Sequence, residues 1–182
     1  MNKKIILDNN QLEISLTRLS CQLLENHDDF KNTVLVGLQP RGKFLCQKIV
    51  RKLANEFNIK ELKYGFLDIT FFRDDFRRNK GVLIPNKTDF KLLVEEKKVV
   101  FIDDVLYTGR TIRAALTAIE SFGRPKSIEL LILVDRRYSR ELPIQPDYKG
   151  IQVDVYNDQK VNVEWNNKEH GDYIYIENFN NG

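Results

Sequence analysis

The stretch Val99–Thr111, VVFIDDVLYTGRT, decides the fold that we expect for this chain. Its first four residues are apolar, as in a strand that is covered on both faces, and the run ends at Asp103 and Asp104. Gly109 then permits a tight turn, and apolar residues recur at helical spacing after Thr111. The stretch therefore predicts a buried strand that turns directly into a helix, the unit from which α/β folds are built.

The rest of the chain repeats this alternation of strand and helix. Apolar runs at Thr33–Leu38 and Ser127–Val134 predict two more buried strands, and a helix is expected from about Lys43. Further predicted elements are a helix capped by Asp8 that runs to about Asn26, a strand at Glu61–Phe72, and a helix at Thr111–Phe122 whose buried face includes Leu116. Since parallel strands are joined by right-handed crossovers, we predict an α/β fold with a central parallel sheet flanked by helices.

Two segments lie outside this alternation. Residues 73–91 show no clean period and are rich in basic residues, and because such long loops are uncommon and often functional, we predict a flexible flap there. A small C-terminal β element is predicted from short alternating runs at Ile151–Tyr156, Val161–Trp165 and Tyr173–Ile176. The length of 182 residues predicts one domain that spans residues 1–182.

Composition and charge narrow the class of protein. The 29 Lys and Arg against 26 Asp and Glu give a formal charge of +3, which permits contact with a phosphorylated ligand or RNA and demands neither. The sequence shows no signal peptide and no apolar run of about 20 residues, so we expect a cytoplasmic protein without membrane contact. Cys21 and Cys46 lie in apolar helical patterns, which indicates buried free thiols rather than a disulfide or a zinc site.

The polar residues of the opening stretch carry the chemistry. Asp103 and Asp104 come at the carboxyl end of a parallel strand, where ligands of α/β sheets bind, and two adjacent carboxylates suit vicinal sugar hydroxyls or Mg²⁺. The turn at residues 107–111 offers N–H groups, two Thr hydroxyls and a helix N-terminus to a phosphate. The alternative is a Thr-capped turn with solvated carboxylates, but the whole arrangement favours a site for a ribose phosphate.

A family resemblance makes this reading more specific. FIDDVLYTGRT resembles the 5-phosphoribosyl-1-pyrophosphate (PRPP) signature of type I phosphoribosyltransferases, and is most similar to that of the PyrR family of pyrimidine-operon attenuation regulators with uracil phosphoribosyltransferase activity. The resemblance continues in order through VGLQPRG, LDITFFRDD, RTIRAAL, FGRPKSI, LVDR and RELPIQPDYKG. It implies a type I phosphoribosyltransferase fold, conversion of uracil and PRPP to UMP and pyrophosphate with Mg²⁺, and a homodimer or larger homo-oligomer.

The resemblance also implies site residues. Contacts to PRPP fall on Asp103, Asp104, Val105, Leu106, Tyr107, Thr108, Gly109, Arg110 and Thr111, and Mg²⁺ arrives with PRPP, near Asp103 and Asp104. The resemblance implies that pyrophosphate is contacted by Pro40, Arg41 and Gly42, and that the nucleobase or nucleotide is contacted by Val134, Asp135, Arg136 and Val161. The implied catalytic residues are Asp104, which would stabilise positive charge on the ribose, and Arg41 and the flap residue Arg73, which would stabilise the departing pyrophosphate.

The chain departs from the family pattern at several positions. Pro40 replaces a Thr, which removes a hydroxyl donor and lowers the cost of a cis peptide bond; a plain strand–turn–helix junction is the alternative for GLQPRG. In the family, a basic face binds leader mRNA, and Thr17, Arg18, Arg137 and Arg140 match positions on it. Cys21, Ser139 and Gln145 replace its other donors.

Three functions therefore remain open from the sequence. The first is a uracil phosphoribosyltransferase that also regulates pyrimidine genes through leader mRNA in response to UMP or UTP. The second is a catalytically weak, nucleotide-sensing RNA-binding regulator. The third is a phosphoribosyltransferase for another base, either hypoxanthine and guanine or orotate.

Overall fold

The computed structural model describes residues 3–72, 93–156 and 159–178. The strands are β1 (Lys3–Leu7), β2 (Thr33–Leu38), β3 (Lys63–Leu67), β4 (Lys98–Leu106), β5 (Ser127–Arg137), β6 (Tyr148–Asp154), β7 (Gln159–Asn167) and β8 (Gly171–Asn178). The helices are α1 (Asn9–His27), α2 (Gly42–Asn55) and α3 (Arg110–Ile119), with short 3₁₀ turns at Thr70–Phe72 and Glu120–Phe122. The predicted flap at residues 73–91 lies outside the described residues.

The central sheet confirms the predicted fold class. Its five strands run in the order β3-β2-β4-β5-β6, and every neighbouring pair is parallel. Helices α1 and α2 pack on one face of the sheet, where the core includes Leu16 and Ile49, and α3 packs on the other, where it includes Phe101 and Ala115. Because β4 lies between β2 and β5, its carboxyl end is at the centre of the edge where a ligand is expected.

Local chemistry explains where α1 begins. The Asp8 carboxylate accepts from the N–H of Gln11 at 2.9 Å, and the Gln11 side chain accepts from the N–H of Asp8 at 3.1 Å. This capping box satisfies two N–H groups that the helix itself cannot pair. The predicted cap at Asp8 is therefore confirmed.

A second, antiparallel sheet has the order β1-β8-β7. Strands β7 and β8 form the small C-terminal β element predicted from the sequence, whereas β1 was not predicted. The third run assigned to that element, Ile151–Tyr156, instead contributes to β6 of the central sheet, because it pairs in parallel with β5. It joins the sheet by pairing with β8 at the other end of the chain, for example Lys4 with Ile176.

Two further sequence predictions are wrong. The strand expected over Glu61–Phe72 ends at Leu67, because the Asp68 carboxylate accepts hydrogen bonds from the N–H and the hydroxyl of Thr70 at 2.9 and 2.6 Å and turns the chain. Leu116 is 39% exposed, since the buried face of α3 is made largely of alanines that allow the helix to approach the sheet.

The described residues test two further expectations. No helix among them is long and apolar enough to cross a lipid bilayer. Both cysteines are free thiols, with Cys46 buried and Cys21 half-buried. Burial raises the pKa of Cys46 to about 12, so this thiol acts as a small apolar core residue.

A polar cluster lies between the end of α1 and the parallel sheet. His27 Nε2 lies 3.1 Å from the Glu129 carboxylate, and its Nδ1 lies 3.0 Å from the Thr33 hydroxyl. The Tyr148 hydroxyl donates to the same carboxylate at 2.6 Å. Burial lowers the pKa of His27 despite the opposing effect of Glu129, so the neutral ring with Nε2 as donor satisfies both contacts.

This cluster predicts a pH-dependent stability. Because the pKa of His27 is lower in the folded chain than its ordinary value of 6.5, unfolding takes up a proton as the pH falls through 6.5, and the free energy of unfolding decreases. Urea unfolding of His27→Gln should show a weaker loss of stability between pH 7.5 and 5.5 than the unsubstituted chain. The exposed His170 provides the control, and an equal reduction in His170→Gln would contradict the assignment.

Candidate functional site

The two predicted carboxylates at the end of β4 have different surroundings. Asp103 and Asp104 are only 8% and 4% exposed. The Asp103 carboxylate accepts from the N–H of Asp104 at 2.9 Å and lines a pocket. The Asp104 carboxylate instead accepts from Arg41 Nε at 2.7 Å. Adjacent residues of one strand therefore provide one carboxylate to the pocket and one to a neighbouring loop.

The pocket has a volume of about 300 Å³ and lies where β4 turns into α3. Residues 107–111 form this connection, which we call the β4 turn. The pocket is lined by Asp103, by residues 105–112 and by Glu141, so the structure brings together every predicted PRPP contact except Asp104. Within it, N–H groups of the turn and the N-terminus of α3 provide the donors that a phosphate requires.

Gly109 is required by the shape of the β4 turn. Its φ of 93° is in the left-handed region, and a Cβ would lie 3.2 Å from Ile144 and 3.4 Å from Leu142.

Of the two predicted contacts that precede the turn, Leu106 has a side chain that is buried in the core. Val105 and Leu106 both belong to β4, so we expect mainly their backbone to be available to a ligand.

The loop between β2 and α2 is packed directly against β4. The Gln39–Pro40 peptide bond is cis. A Cβ on Gly42 would lie 2.3 Å from the Ile102 carbonyl oxygen and 3.0 Å from the Cα of Asp103. Only glycine permits this approach, which places the predicted pyrophosphate loop beside the two carboxylates.

Arg41 connects three parts of the structure. It extends from the β2–α2 loop, bonds to Asp104 of β4, and donates through a second nitrogen to the Val163 carbonyl of β7 at 2.5 Å. Burial alone would lower the pKa of Arg41, but the Asp104 carboxylate outweighs this effect and the net pKa is raised. The sequence predicted Arg41 and Asp104 as separate ligand contacts, and the structure pairs them with each other.

The predicted nucleobase residues fall into two groups. The side chains of Val134 and Val161 are buried in the core, so only their backbone could reach a ligand. The Asp135 carboxylate pairs with Arg140 and accepts from Gln152 at 3.3 Å.

Arg136 is the most unusual residue of this region. It is 5% exposed, and its guanidinium lies 4.0 Å from the centre of the Tyr107 ring. One nitrogen donates to the Gln159 carbonyl at 3.3 Å, whereas the buried Nε has no hydrogen-bond partner. Burial lowers the pKa of this guanidinium, and among the described residues no carboxylate pairs with it.

The residues predicted to contact RNA are all engaged within the chain. The Thr17 hydroxyl donates to the Glu13 carbonyl at 3.0 Å, and Arg18 donates to the carbonyls of Lys149 and Gly150 at the edge of β6. Arg137 and Arg140 pair with carboxylates, and both line a second pocket of about 430 Å³. The other cationic residues of this pocket are Arg136 and Lys149.

The donor set at β4 suits a Mg²⁺ ion that is carried by its substrate. The described residues contain no group of three or more His, Cys, Asp or Glu side chains that could hold a metal ion. Mg²⁺ that acts on phosphate esters commonly takes one or two carboxylates and completes its shell with phosphate oxygens and water. Asp103, at the pocket, provides such a carboxylate, and Asp104 lies next to it in the strand.

Sequence reasoning missed two parts of the site. Glu141 lines the pocket and accepts from Arg110 Nε at 2.7 Å, and Val163 binds Arg41 through its carbonyl. Neither residue carries a signal in the sequence, because a surface Glu and a backbone carbonyl are not distinctive. Arg73, predicted to act in catalysis, lies outside the described residues.

Comparisons with known proteins agree with this geometry. The family model described as "Phosphoribosyl transferase domain" matches residues 2–168. "Bifunctional protein PyrR" of Bacillus cereus (strain B4264) is 38% identical over 177 residues, which cover 96% of this chain and 97% of the relative. The same protein of Bacillus anthracis (strain A0248) shows the same identity and coverage.

Solved structures share the fold at lower identity. A hypoxanthine phosphoribosyltransferase from Staphylococcus aureus has a TM-score of 0.66 and 21% identity, over 87% of this chain and 80% of that one. A hypoxanthine-guanine phosphoribosyltransferase from Bacillus anthracis has a TM-score of 0.70 and 15% identity, over 94% and 96%. These two matches show the shared fold. The identity to the curated relatives and the match to the family model show that the chain belongs to the PyrR family of the type I phosphoribosyltransferases.

Proposed function

We propose that the chain transfers the phosphoribosyl group of PRPP to uracil, which gives UMP and pyrophosphate. The observation that carries this proposal is the pocket at the end of β4, where one carboxylate and the donors of the β4 turn meet. A ribose 5-phosphate has hydroxyls at one end and a phosphate at the other, and it matches this arrangement. The similarity to "Bifunctional protein PyrR" supports the choice of a pyrimidine substrate.

The residues suggest how the reaction is assisted. The bond between C1 of the ribose and the pyrophosphate oxygen breaks, N1 of uracil bonds to C1, and the N1 proton is released. Asp104 faces the positive charge that develops on the ribose, and Arg41 faces the negative charge on the departing pyrophosphate. Bound Mg²⁺ would neutralise charge on the pyrophosphate. The hydrogen bond to Asp104 orients Arg41, and the guanidinium keeps further N–H groups for the pyrophosphate.

Arg136 supports a nucleotide as ligand. A buried cation without a carboxylate partner is costly, and an anionic or carbonyl group of a ligand would offset that cost. We propose that the uracil nucleotide supplies this group beside Tyr107, with backbone groups near Asp135 and Val161 reading the base. Cytoplasmic location and assembly as a homodimer or larger oligomer stay predictions from the sequence.

The first test compares bases. With PRPP and Mg²⁺, uracil should be converted to its nucleotide faster than hypoxanthine, guanine or orotate, as measured by the ultraviolet absorbance change on nucleotide formation. Preference for another base would reassign the substrate within the same reaction. No turnover with any of the four bases would contradict the proposed enzyme.

The second test removes one charge at the centre of the site. Asp104→Asn should lower kcat/KM for PRPP on the order of a hundredfold, because it removes the stabilisation of ribose charge and the partner that orients Arg41. Asp29→Asn makes the same change in charge on the exposed loop between α1 and β2 and should leave the kinetics unchanged. Normal kinetics in a folded Asp104→Asn chain would remove Asp104 from the catalytic residues.

RNA binding is a second candidate function, favoured by the cationic lining of the pocket around Arg136, Arg137, Arg140 and Lys149. The guanidinium of Arg137 is exposed and could exchange its Asp154 carboxylate for an RNA phosphate. Arg18 is also exposed and could exchange its carbonyl partners for a phosphate in the same way. Ion pairs that already neutralise Arg137 and Arg140 would reduce the gain from each contact.

A gel-shift assay with the leader RNA of the pyrimidine genes, with and without UMP, tests this function. Binding should weaken as salt rises, and Arg137→Gln should reduce the slope of log K against log salt by about one. Arg124→Gln, an exposed arginine between α3 and β5, is the charge-matched control and should leave the slope unchanged. Absence of a salt-sensitive shift would contradict RNA binding.

A further inference from the structure

Residues 138–146, which we call the cover loop, lie against the β4 turn. The N–H groups of Glu141 and Leu142 both donate to the Thr108 carbonyl, at 3.0 and 3.2 Å. Leu142 and Ile144 of the same loop lie within 3.4 Å of the position that a Cβ on Gly109 would take. The cover loop therefore holds the β4 turn at the Thr108 carbonyl, and its Glu141 also lines the pocket.

Arg140 also binds a backbone carbonyl of the β4 turn, that of Tyr107, which precedes Thr108. Its guanidinium donates to the Tyr107 carbonyl through one nitrogen and pairs with the Asp135 carboxylate through another. The Arg140 and Asp135 side chains are only 22% and 6% exposed, so water competes little with their ion pair, which holds the guanidinium in place for its contact with the more exposed Tyr107 carbonyl. Asp135 accepts from Gln152 as well, which fixes the carboxylate that orients Arg140.

These contacts determine where the donors of the turn point. In a trans peptide unit the C=O and the next N–H point in opposite directions. Because the carbonyls of Tyr107 and Thr108 are each held by a hydrogen bond, the N–H groups of Thr108 and Gly109, which belong to the same two peptide units, are held as well. Two successive N–H groups held in this way form a concave anion site.

We propose that Arg140 is a positioning residue for the 5-phosphate of the ribose ligand, acting through the Tyr107 carbonyl. The inference rests on the proposed function, since it concerns the same pocket. It gives a different role to a residue that the sequence assigned to RNA. An Arg140 that bound an RNA phosphate would divide its donors between the phosphate and its contacts with Asp135 and the β4 turn.

Titration calorimetry with ribose 5-phosphate and with UMP tests this role. Arg140→Gln should lose about tenfold in affinity for both ligands, because one charged hydrogen bond that orients the turn is removed. The loss of affinity should be equal for the two ligands, because both carry the 5-phosphate that Arg140 helps to position, and the base that only UMP has is not involved. In the transfer reaction, the KM for PRPP should rise by a similar factor while kcat stays within about twofold.

Two further variants control for charge and folding. Arg51→Gln removes the same charge from an exposed site on α2 and should bind both ligands normally. Arg140→Lys keeps a cation beside the buried Asp135, so that the fold is preserved, but it lacks the fork that reaches the Tyr107 carbonyl, and it should show a smaller loss than Arg140→Gln.

The outcomes separate this inference from the proposed function. Unchanged affinity for ribose 5-phosphate in Arg140→Gln or Arg140→Lys, with circular dichroism showing a folded chain, would overturn the positioning role. A loss confined to UMP would also overturn it and would place Arg140 at the base. If the unsubstituted chain bound neither ligand, the proposed function itself would fall.

Discussion

The site depends on the parallel pairing of β4 with β2 on one side and β5 on the other. This pairing brings the carboxyl ends of β2, β4 and β5 to one edge of the sheet. Arg41 follows β2, and Asp104 and Asp135 lie near the ends of β4 and β5. Gly42 strengthens the constraint, because the absence of a side chain lets α2 begin in contact with the backbone of β4. The functional groups are close together as a consequence of strand order rather than of sequence proximity.

Two hydrogen-bonded connections join this edge to its surroundings. Arg41 links β4 to β7 of the antiparallel sheet, and Arg140 links β5 to the β4 turn. Each uses the several donors of a guanidinium to satisfy a carboxylate and a backbone carbonyl at the same time. Binding a ligand in the pocket would therefore act on both the second sheet and the cover loop.

Much of this arrangement could be predicted because the signals are local. An apolar run such as Thr33–Leu38 is covered on both faces, and its bounds agree with the observed strand. Asp103 and residues 105–111 line one pocket because they lie together in one strand and the turn that follows it. What could not be predicted depends on distant partners. Strand β1 needs β8 to form, the role of Arg140 depends on Asp135 and Tyr107, and the pairing of Arg41 with Asp104 joins residues on different strands.

A crystal structure of the chain with UMP would show whether the end of β4 binds a ribose 5-phosphate. We expect the phosphate within hydrogen-bond distance of N–H groups of residues 108–111, with the ribose hydroxyls toward Asp103 and Asp104. A phosphate bound instead among the cationic side chains around Arg137 and Lys149, with no ligand in the pocket at the β4 turn, would show that β4 does not form the ribose phosphate site.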